Sequence, residues 1–385
     1  MKKTILVLLL LLIMPLFIAC NSSTQAFENP NTELCVASNT AGVFLCEKTT
    51  TSYFDTTVSL KLYYQASDSY DILEVFEYFE NTLETYHQYF DKYHEYSGIT
   101  NVYNINESTE TLVLDDKLFQ ALVFAMDNKT LVVRDDTYLF NIALGQVLDV
   151  WHNARDNSNC NDSIELGILY CPVPNKEIDG ITFHTNPDNV VLDAETNSIS
   201  FLESDMSIDL GGYAKGYVAN IVTDHLNSLD ITYILNLGNS NVIGNGQNPT
   251  NDTSDFLIAL IEPSTDFKIV NTYYQYVQLP EDMALVTSGN YQRFFKDIDT
   301  SEVYHHIIDP RTNYPGGDVM SVSIIYPDSA IADVLSTAIY LLDLEDAISF
   351  VNETENLEAV WYSYDGTITY SDGFQTYNYV ISEQK

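Results

Sequence analysis

Residues 207–217 read SIDLGGYAKGY and combine a pair of glycines with a lysine. We predict that a strand ends at 208–210, that the chain turns at Gly211 and Gly212, and that a helix begins near Ala214. The first turn of a helix has unpaired N–H groups and the positive end of the helix dipole, which suit an anion. Lys215 would add a positive charge, and glycine lets a bulky ligand approach the backbone. The segment therefore indicates an anion site.

The same segment also fits an ordinary strand–helix turn with a solvent-facing lysine. It lacks the GxGxxG spacing of a dinucleotide-binding turn, and it is not a Walker loop. Taken alone, the segment favours the ordinary turn. Whether it is an anion site therefore depends on motifs elsewhere in the chain.

The composition argues against two classes of partner. The chain has 385 residues, with 55 acidic side chains against 16 basic ones and a formal net charge of −39. Such a surface repels nucleic acid and anionic lipid headgroups, so we expect neither as a partner. The simplest explanation of the acidity is solubility in a salty or cation-rich exterior.

The N-terminus predicts export and a lipid anchor. A short basic head precedes an apolar run over residues 5–19, which is the layout of a secretory signal and is too short to span a bilayer comfortably. The sequence Phe17-Ile18-Ala19-Cys20 resembles a bacterial lipobox, in which the cysteine is acylated. We therefore predict a signal peptide at 1–19, a lipid on Cys20, a tether over 20–50, and a location on the extracytoplasmic side of the cell membrane. The alternative is an ordinary cleaved signal in which Cys20 is incidental.

The other four cysteines stand at positions 35, 46, 160 and 171. An exported protein can form disulfides, and four cysteines allow three pairings. Local pairing, Cys35–Cys46 and Cys160–Cys171, is the simplest of the three. A zinc site is less favoured, because no CxxC or paired-histidine spacing accompanies these cysteines.

Hydrophobic periodicity over 51–385 mixes helices and strands. Helices are predicted at 72–93, 118–130, 214–229, 331–343 and 344–353. Strands are predicted at 56–64, 233–238, 256–263, 272–279, 284–289 and 319–327, with a closing hairpin at 359–373. Residues 137–151 form another apolar segment, and 172–197 are predicted to contain strand and turn pieces. The pattern by itself indicates a mixed α and β fold.

Three further motifs contain groups that could carry chemistry. VTSGNYQRFF (286–295) has a Thr-Ser-Gly turn before an arginine, and YHHIIDPRTNYP (304–315) has two histidines beside an Asp-Pro-Arg turn. In ADVLSTA (332–338), Asp333 and Thr337 are four residues apart and share one face of a helix. A carboxylate and a hydroxyl are hard oxygen ligands that suit Mg²⁺. Singly, Asp333 could be a helix cap, and the histidines could be packed polar residues.

Taken together with 207–217, these motifs resemble the ApbE family, the FAD:protein FMN transferases. The resemblance extends over 51–385, with weaker matches at FDKYHEYSGITNVYNIN (90–106) and at 137–151. It implies an α+β, T-fold-related architecture in which the active site lies between a larger and a smaller domain. It also implies Mg²⁺-dependent transfer of FMN from FAD to a Thr or Ser hydroxyl of an extracytoplasmic acceptor protein, with release of AMP.

The resemblance also assigns roles to individual residues. It implies that Asp333, Thr337 and the main-chain carbonyl of Ala214 bind Mg²⁺. It implies that His306 takes the proton from the attacking hydroxyl, a task that suits neutral imidazole, and that Asp309 orients the loop or a histidine. The residues expected around FAD are Phe140, Asn141, Asp209, Gly211, Gly212, Lys215, Ser288, Arg293 and His306. Of two other basic residues in the motifs, Arg311 could also serve the ligand, and Lys296 is better explained as a surface charge.

The chain departs from the family pattern at three asparagines, Asn141, Asn239 and Asn313. Asn141 replaces an acidic residue, the turn containing Asn239 differs from the usual Gly-Gly-Asn, and Asn313 replaces a glycine. Asparagine tolerates the left-handed conformation best among the non-glycine residues, and the metal pair and His306 are intact, so we expect activity. Two alternatives stay open: hydrolysis of FAD to FMN and AMP at the same site, and a lipoprotein that binds FAD without chemistry.

Overall fold

An antiparallel sheet of nine strands is the largest element in the part of the chain that the computed structural model describes, which is residues 28–156, 159–163, 168–250, 255–263 and 272–380. The predicted signal peptide and the lipidation site at Cys20 lie outside these residues, so both stay predictions. No helix of the described residues is long and apolar enough to cross a membrane.

The helices and strands follow the predicted alternation closely. The helices are α1 (Ile72–Phe90), α2 (Val102–Glu107), α3 (Asp116–Asn128), α4 (Gly145–Arg155), α5 (Asn175–Asp179), α6 (Ala214–Ser228), α7 (Ser329–Tyr340) and α8 (Leu344–Glu353). The strands are β1 (Cys35–Ala37), β2 (Val43–Thr50), β3 (Val58–Gln65), β4 (Leu112–Val113), β5 (Val133–Arg134), β6 (Thr137–Tyr138), β7 (Asn161–Ser163), β8 (Ile168–Cys171), β9 (Val190–Asp193), β10 (Ser198–Phe201), β11 (Tyr233–Leu237), β12 (Asn241–Asn245), β13 (Phe256–Ile261), β14 (Tyr273–Leu279), β15 (Met283–Gly289), β16 (Phe294–Asp297), β17 (Val303–His305), β18 (Ile308–Asp309), β19 (Tyr314–Pro315), β20 (Val319–Tyr326), β21 (Glu358–Ser363), β22 (Ile368–Tyr370) and β23 (Asn378–Tyr379).

The central sheet has the strand order β1-β2-β3-β11-β12-β15-β20-β21-β22. Helices α1, α6 and α7 cover one face, and α7 packs on β15 and β20. The main hydrophobic core lies between this face and the helices, and includes Leu60, Val218, Val322 and Ala338, all fully buried. A small sheet of β13, β14 and β23 covers the other face, where Val277 and Val360 are fully buried. The sheet is therefore a middle layer, buried on both faces.

A smaller unit stands beside this sandwich and has its own core. It joins α4 to a sheet of order β17-β16-β8-β7, and its buried residues include Val147, Trp151 and Phe295. The bulky apolar residues of the 137–151 segment account for this packing, because they face β16 once α4 forms. The space between the smaller unit and the helix-covered side of the sandwich is where the candidate site lies.

The first two strands correct the predicted tether at 20–50. Strand β2 pairs with β3 along its whole length, and Val43 and Cys46 are buried. Residues 35–50 are therefore part of the central sheet, and a tether could only precede them. The Ser, Thr and Asn content of this segment misled the prediction, because composition does not reveal the pairing of β2 with β3.

Both disulfides pair locally, which is the simplest of the three arrangements left open by the sequence. Cys35 and Cys46 lie directly opposite each other on β1 and β2, with a Cα–Cα distance of 4.0 Å. Cys160 and Cys171 are bonded in the smaller unit, with a Cα–Cα distance of 4.2 Å. Each bridge closes a short loop, so it holds its own strand pair rather than joining distant elements.

The strand predicted at 208–210 is wrong. These residues pair with no strand, because the side chain of Asn106 both donates to the Ile208 carbonyl and accepts from its N–H, at 2.9 and 2.8 Å. The N–H of Asp209 donates instead to the carbonyl of Ile142. Side-chain and loop partners thus satisfy a backbone that a neighbouring strand would otherwise pair.

Candidate active site

A cavity of about 470 Å³ lies between the smaller unit and the N-terminal end of α6. Its size falls within the range of small-molecule sites in proteins. The predicted site residues that line it are Phe140, Asn141, Asp209, Gly211, Gly212, Lys215, Ser288, Arg293, His306, Asp333 and Thr337. The fold therefore brings together side chains from five separate stretches of sequence.

Asp333 is a buried carboxylate at the meeting point of α6 and α7. It is 5% exposed, and one of its oxygens accepts the backbone N–H of Gly216 at 2.9 Å. Burial raises the pKa of Asp333 above its ordinary value, while Lys215, the Gly216 N–H and the Asn241 amide oppose that rise. The start of α6 is thus partly capped by a residue of the protein itself, which corrects the expectation that its N–H groups are free for a ligand.

The residues around Asp333 fit a metal ion. Thr337 is one helical turn further along α7, and both side chains line the cavity. A cation would offset the cost of the ionised carboxylate, which burial disfavours. Across the described ranges, no three His, Cys, Asp or Glu side chains are grouped as a zinc-type site requires. Mg²⁺ suits such a site, because it binds proteins through one or two carboxylates and takes its other ligands from water and phosphate.

His306 and His305 have different environments although they are neighbours. His305 is buried, accepts the Ile307 N–H at its Nδ1 atom, and has its pKa lowered to about 4 by burial. The ring of His306 is open to the cavity, with Nδ1 3.2 Å from the carbonyl oxygen of Arg293. A carbonyl only accepts, so Nδ1 must carry the proton, and Nε2 is left with a lone pair. His306 is therefore the histidine with a basic nitrogen.

The environment of His306 keeps its ring neutral. The surrounding protein atoms disfavour the charged form, and Arg293, His305 and Lys215 add to that effect, so the pKa falls from 6.5 to about 3. The ring is exposed toward the cavity, but desolvation by the surrounding protein atoms and repulsion by the nearby positive charges both lower its pKa. His306 is thus a neutral proton acceptor at pH 7.

Arg293 joins two walls of the cavity. Its guanidinium donates to the carbonyl of Asp55 at 3.3 Å, and its own carbonyl accepts the N–H of His306 at 3.2 Å. The side chain is exposed within the cavity lining. With Lys215, it gives this part of a strongly acidic protein a local positive charge.

Known proteins include a family whose sequence model matches most of this chain. The sequence model of the ApbE family matches residues 54–361. The chain belongs to the ApbE family. Among curated relatives, a Klebsiella pneumoniae protein named FAD:protein FMN transferase is 27% identical over 60% of this chain and 64% of its own length. A Treponema pallidum protein of the same name is 28% identical over 61% of this chain and 63% of its own length. The chain thus spans somewhat less than two thirds of these relatives.

Solved ApbE structures share the fold. The ApbE protein of Thermotoga maritima aligns with a TM-score of 0.71 and 24% identity, covering 87% of this chain and all of the other. The flavin transferase ApbE of Vibrio cholerae aligns with a TM-score of 0.66 and 20% identity, covering 86% of this chain and 99% of the other. The predicted α+β, ApbE-like fold is confirmed.

Two predicted site residues are not among those that line the cavity. Ala214 is the first residue of α6, is 6% exposed and is not among the residues that line the cavity. Gly212 lies in the turn just before it and does line the cavity. The role of the Ala214 carbonyl as a metal ligand stays a prediction.

Asp309 is also absent from the cavity lining. Its carboxylate accepts the Arg311 side chain through both oxygens, at 2.7 to 3.0 Å, and the same guanidinium donates to the Leu341 carbonyl at 2.7 Å. This interaction fixes the loop after His306 to the end of α7. Asp309 is thus a loop-orienting residue, and its ion pair holds Arg311 outside the cavity lining.

Three other predicted residues line the cavity with side chains that already contact other protein groups. The Asn141 side chain accepts the Ala143 N–H and donates to the Thr185 carbonyl, both at 2.8 Å. Phe140 is 3% exposed and packs against the ring of Tyr213. The Ser288 hydroxyl lies 2.9 Å from that of Ser336. These contacts explain why Asn141 can replace an acid without leaving an unpaired group.

The other two asparagine departures both have positive φ. Asn313 has a φ of 63°, as its replacement of glycine predicts, and its carbonyl accepts the Trp151 indole N–H at 2.8 Å. Asn239 has a φ of 60° beside Gly238 at 67°. The chain thus keeps left-handed turns at both positions by using asparagine, which tolerates them.

The sequence reasoning missed one wall of the cavity. Leu148, Trp151, His152 and Arg155 line it from α4. They are spaced as one helical face, a signal that was present in the sequence. Other lining residues that were missed are Asp55, Thr56, Lys92, Tyr93 and Tyr304.

Proposed function

We propose that this protein transfers FMN from FAD to a Thr or Ser hydroxyl of an acceptor protein and releases AMP. The observation that carries the proposal is one cavity in which the basic nitrogen of His306 and the Asp333–Thr337 pair are assembled with Lys215 and Arg293. The relatives named FAD:protein FMN transferase support the substrate and the group transferred.

The chemistry balances with the groups at hand. The acceptor hydroxyl oxygen bonds to the phosphorus on the flavin side of the pyrophosphate, and the bond from that phosphorus to the bridging oxygen breaks. AMP leaves with the bridging oxygen, and the hydroxyl proton passes to Nε2 of His306. Lys215 and Arg293 stabilise the negative charge on the phosphate oxygens.

Asp333 and Thr337 would hold Mg²⁺ against the pyrophosphate. A bound Mg²⁺ supplies Lewis-acid stabilisation of the charge that develops at the phosphate. The buried position of Asp333 then has a function, because a carboxylate within a protein wall fixes the metal more firmly than a mobile surface side chain.

The proposal is tested with the protein from residue 28 onward, FAD, Mg²⁺ and an acceptor domain that carries a flavinylation motif. We expect the intact mass of the acceptor to rise by one FMN moiety with equimolar AMP, and His306→Gln to abolish both. AMP and free FMN without a mass gain, with every acceptor tried, would favour FAD hydrolysis. FAD binding without AMP would leave only a flavin-binding protein.

The pH dependence should reflect the low pKa of His306. A general base must be neutral, and this histidine keeps its neutral form well below pH 6.5 because its pKa is depressed. We therefore expect kcat/KM for FAD, which reports the free enzyme, to stay level from pH 7.5 down to about 6, where an ordinary histidine would be mostly protonated. Stopped assays of AMP release across this range check it, and a fall centred at or above pH 6.5 would contradict it.

We also propose that a lipid on Cys20 holds the enzyme on the extracytoplasmic side of the membrane. The apolar run at 5–19 supports this, and the two disulfides fit an oxidising compartment. Replacement of Cys20 by Ala should move the protein from the membrane fraction to the soluble or secreted fraction. An unchanged distribution of the Cys20→Ala variant would contradict the anchor.

A further inference from the structure

Lys92 joins two walls of the cavity by ion pairs. It follows α1 in the chain, and its ammonium lies 2.8 Å from a carboxylate oxygen of Asp149 on α4 and 2.8 Å from one of Asp209. The side chain is only 5% exposed. The other Asp209 oxygen accepts the N–H of Gly211 at 2.7 Å. One ammonium thus connects α4 to the glycine turn.

One ammonium faces two carboxylates at this position. Burial alone would lower the pKa of Lys92, but the two carboxylates raise it above the ordinary value, so the side chain stays protonated. Conversely, burial alone would raise the pKa of Asp209, but Lys92, together with the Gly211 N–H and His152, lowers it below its ordinary value, so this carboxylate stays ionised. Without Lys92, Asp209 would border the cavity as an uncompensated carboxylate.

That carboxylate matters because of what the cavity would bind. A pyrophosphate is doubly charged, and like charges a few ångströms apart in a partly buried site repel each other strongly. The chain has few cations to offset this, with 16 basic residues against 55 acidic ones. Asp209 also fixes the turn, because its side chain accepts the Gly211 N–H. A residue without a side-chain acceptor at this position would leave that N–H unpaired.

We propose that Lys92 is a positioning residue that cancels the charge of Asp209, so that the glycine turn is held in place while the cavity accepts an anionic dinucleotide. The inference rests on the proposed function in one respect, namely that FAD is the ligand. It assigns Asp209 to the turn and to Lys92 rather than to direct contact with FAD.

The test is direct titration of FAD, followed by quenching of flavin fluorescence, on wild type and four variants. These are Lys92→Met, Asp209→Asn, the double variant, and Asp149→Asn as the matched control on the other side of the ammonium. Lys92→Met should weaken FAD binding by roughly tenfold or more. The double variant should recover most of that loss, since it removes the repelling charge, and Asp149→Asn should change affinity least.

Salt gives a second readout that loss of structure would not reproduce. If the Lys92→Met defect is repulsion, raising the ionic strength should shrink the gap between this variant and wild type. The midpoint of thermal unfolding, measured for each variant, separates loss of fold from loss of affinity. If Lys92→Met does not fold, the FAD affinity of Asp209→Asn tests whether the Asp209 charge opposes binding. We expect Asp209→Asn to bind FAD at least as tightly as wild type.

Three results would overturn the inference while leaving the proposed function intact. They are wild-type affinity in folded Lys92→Met, a double variant that binds no better than Lys92→Met, and weaker binding by Asp209→Asn. Wild-type protein that does not bind FAD would instead remove the proposed function, and the role of Lys92 with it. The two failures are thus told apart by the wild-type titration.

Discussion

Replacing Asp333 with Asn should lower the rate of FMN transfer by at least about a hundredfold while leaving the fold intact. The carboxylate is the one acidic ligand of the proposed metal site, and Lewis-acid stabilisation of a phosphoryl transition state contributes several kcal/mol, with each 1.4 kcal/mol worth tenfold in rate. Asparagine keeps an oxygen to accept the Gly216 N–H. Raising the Mg²⁺ concentration should restore part of the rate, measured as AMP release.

The stability of Asp333→Asn should equal or exceed that of wild type. Burial raises the pKa of Asp333, which means that its ionised form is disfavoured in the folded state at pH 7. The neutral amide avoids that cost. Asp328→Ala on the same helix is the matched control, because Asp328 caps α7 by accepting the Ile331 N–H. It should lose about 1 kcal/mol of stability and keep its activity. Full activity in Asp333→Asn would contradict the proposed metal site.

Replacing Gly216 with Ala should destabilise the protein by about 3 kcal/mol or more, although helix propensity predicts the opposite sign. Alanine is favoured over glycine within a helix by roughly 1 kcal/mol. At Gly216, however, an added Cβ would lie 2.2 Å from the Ser329 carbonyl oxygen and 2.8 Å from the Asp333 Cβ. Both atoms belong to or adjoin the backbone of α7, so they cannot move without α7 itself. Helices α6 and α7 must therefore separate, and overpacking of this kind lowers the free energy of unfolding.

Urea unfolding of Gly216→Ala and Gly212→Ala measures this difference. A Cβ at Gly212 would lie 3.5 Å from the Phe140 ring, an ordinary contact, so its midpoint should stay near that of wild type. Because Asp333 moves when α6 and α7 separate, Gly216→Ala should also lose activity even where it remains folded. An unfolding midpoint for Gly216→Ala at or above the wild-type value would contradict this prediction, because it would show that α7 can move away from α6 without loss of stability.

The local features of the site could be predicted from the sequence, because they depend on neighbours along the chain. Asp333 and Thr337 share a face since four residues make about one helical turn. The left-handed turn at Asn313 followed from the tolerance of asparagine for positive φ. The local pairing of the cysteines was the simplest choice and is what the structure contains.

Features that depend on contact between distant segments could not be predicted in this way. The 208–210 segment has the composition of a strand, yet Asn106 pairs its backbone in place of a neighbouring strand. Strands β1 and β2 were mistaken for a tether, because composition does not reveal that β2 pairs with both β1 and β3.

The sequence by itself determined which chemical groups this protein has and in what order, together with the helices and turns whose periods are local. Only the tertiary structure decided which groups meet. It placed Asp333 on the Gly216 N–H, 117 residues away in sequence, joined Lys92 to Asp209, and removed Arg311 from the cavity by pairing it with Asp309. The reason is physical: local periodicity fixes the direction of a side chain on its own element, whereas its partner depends on how the whole chain packs.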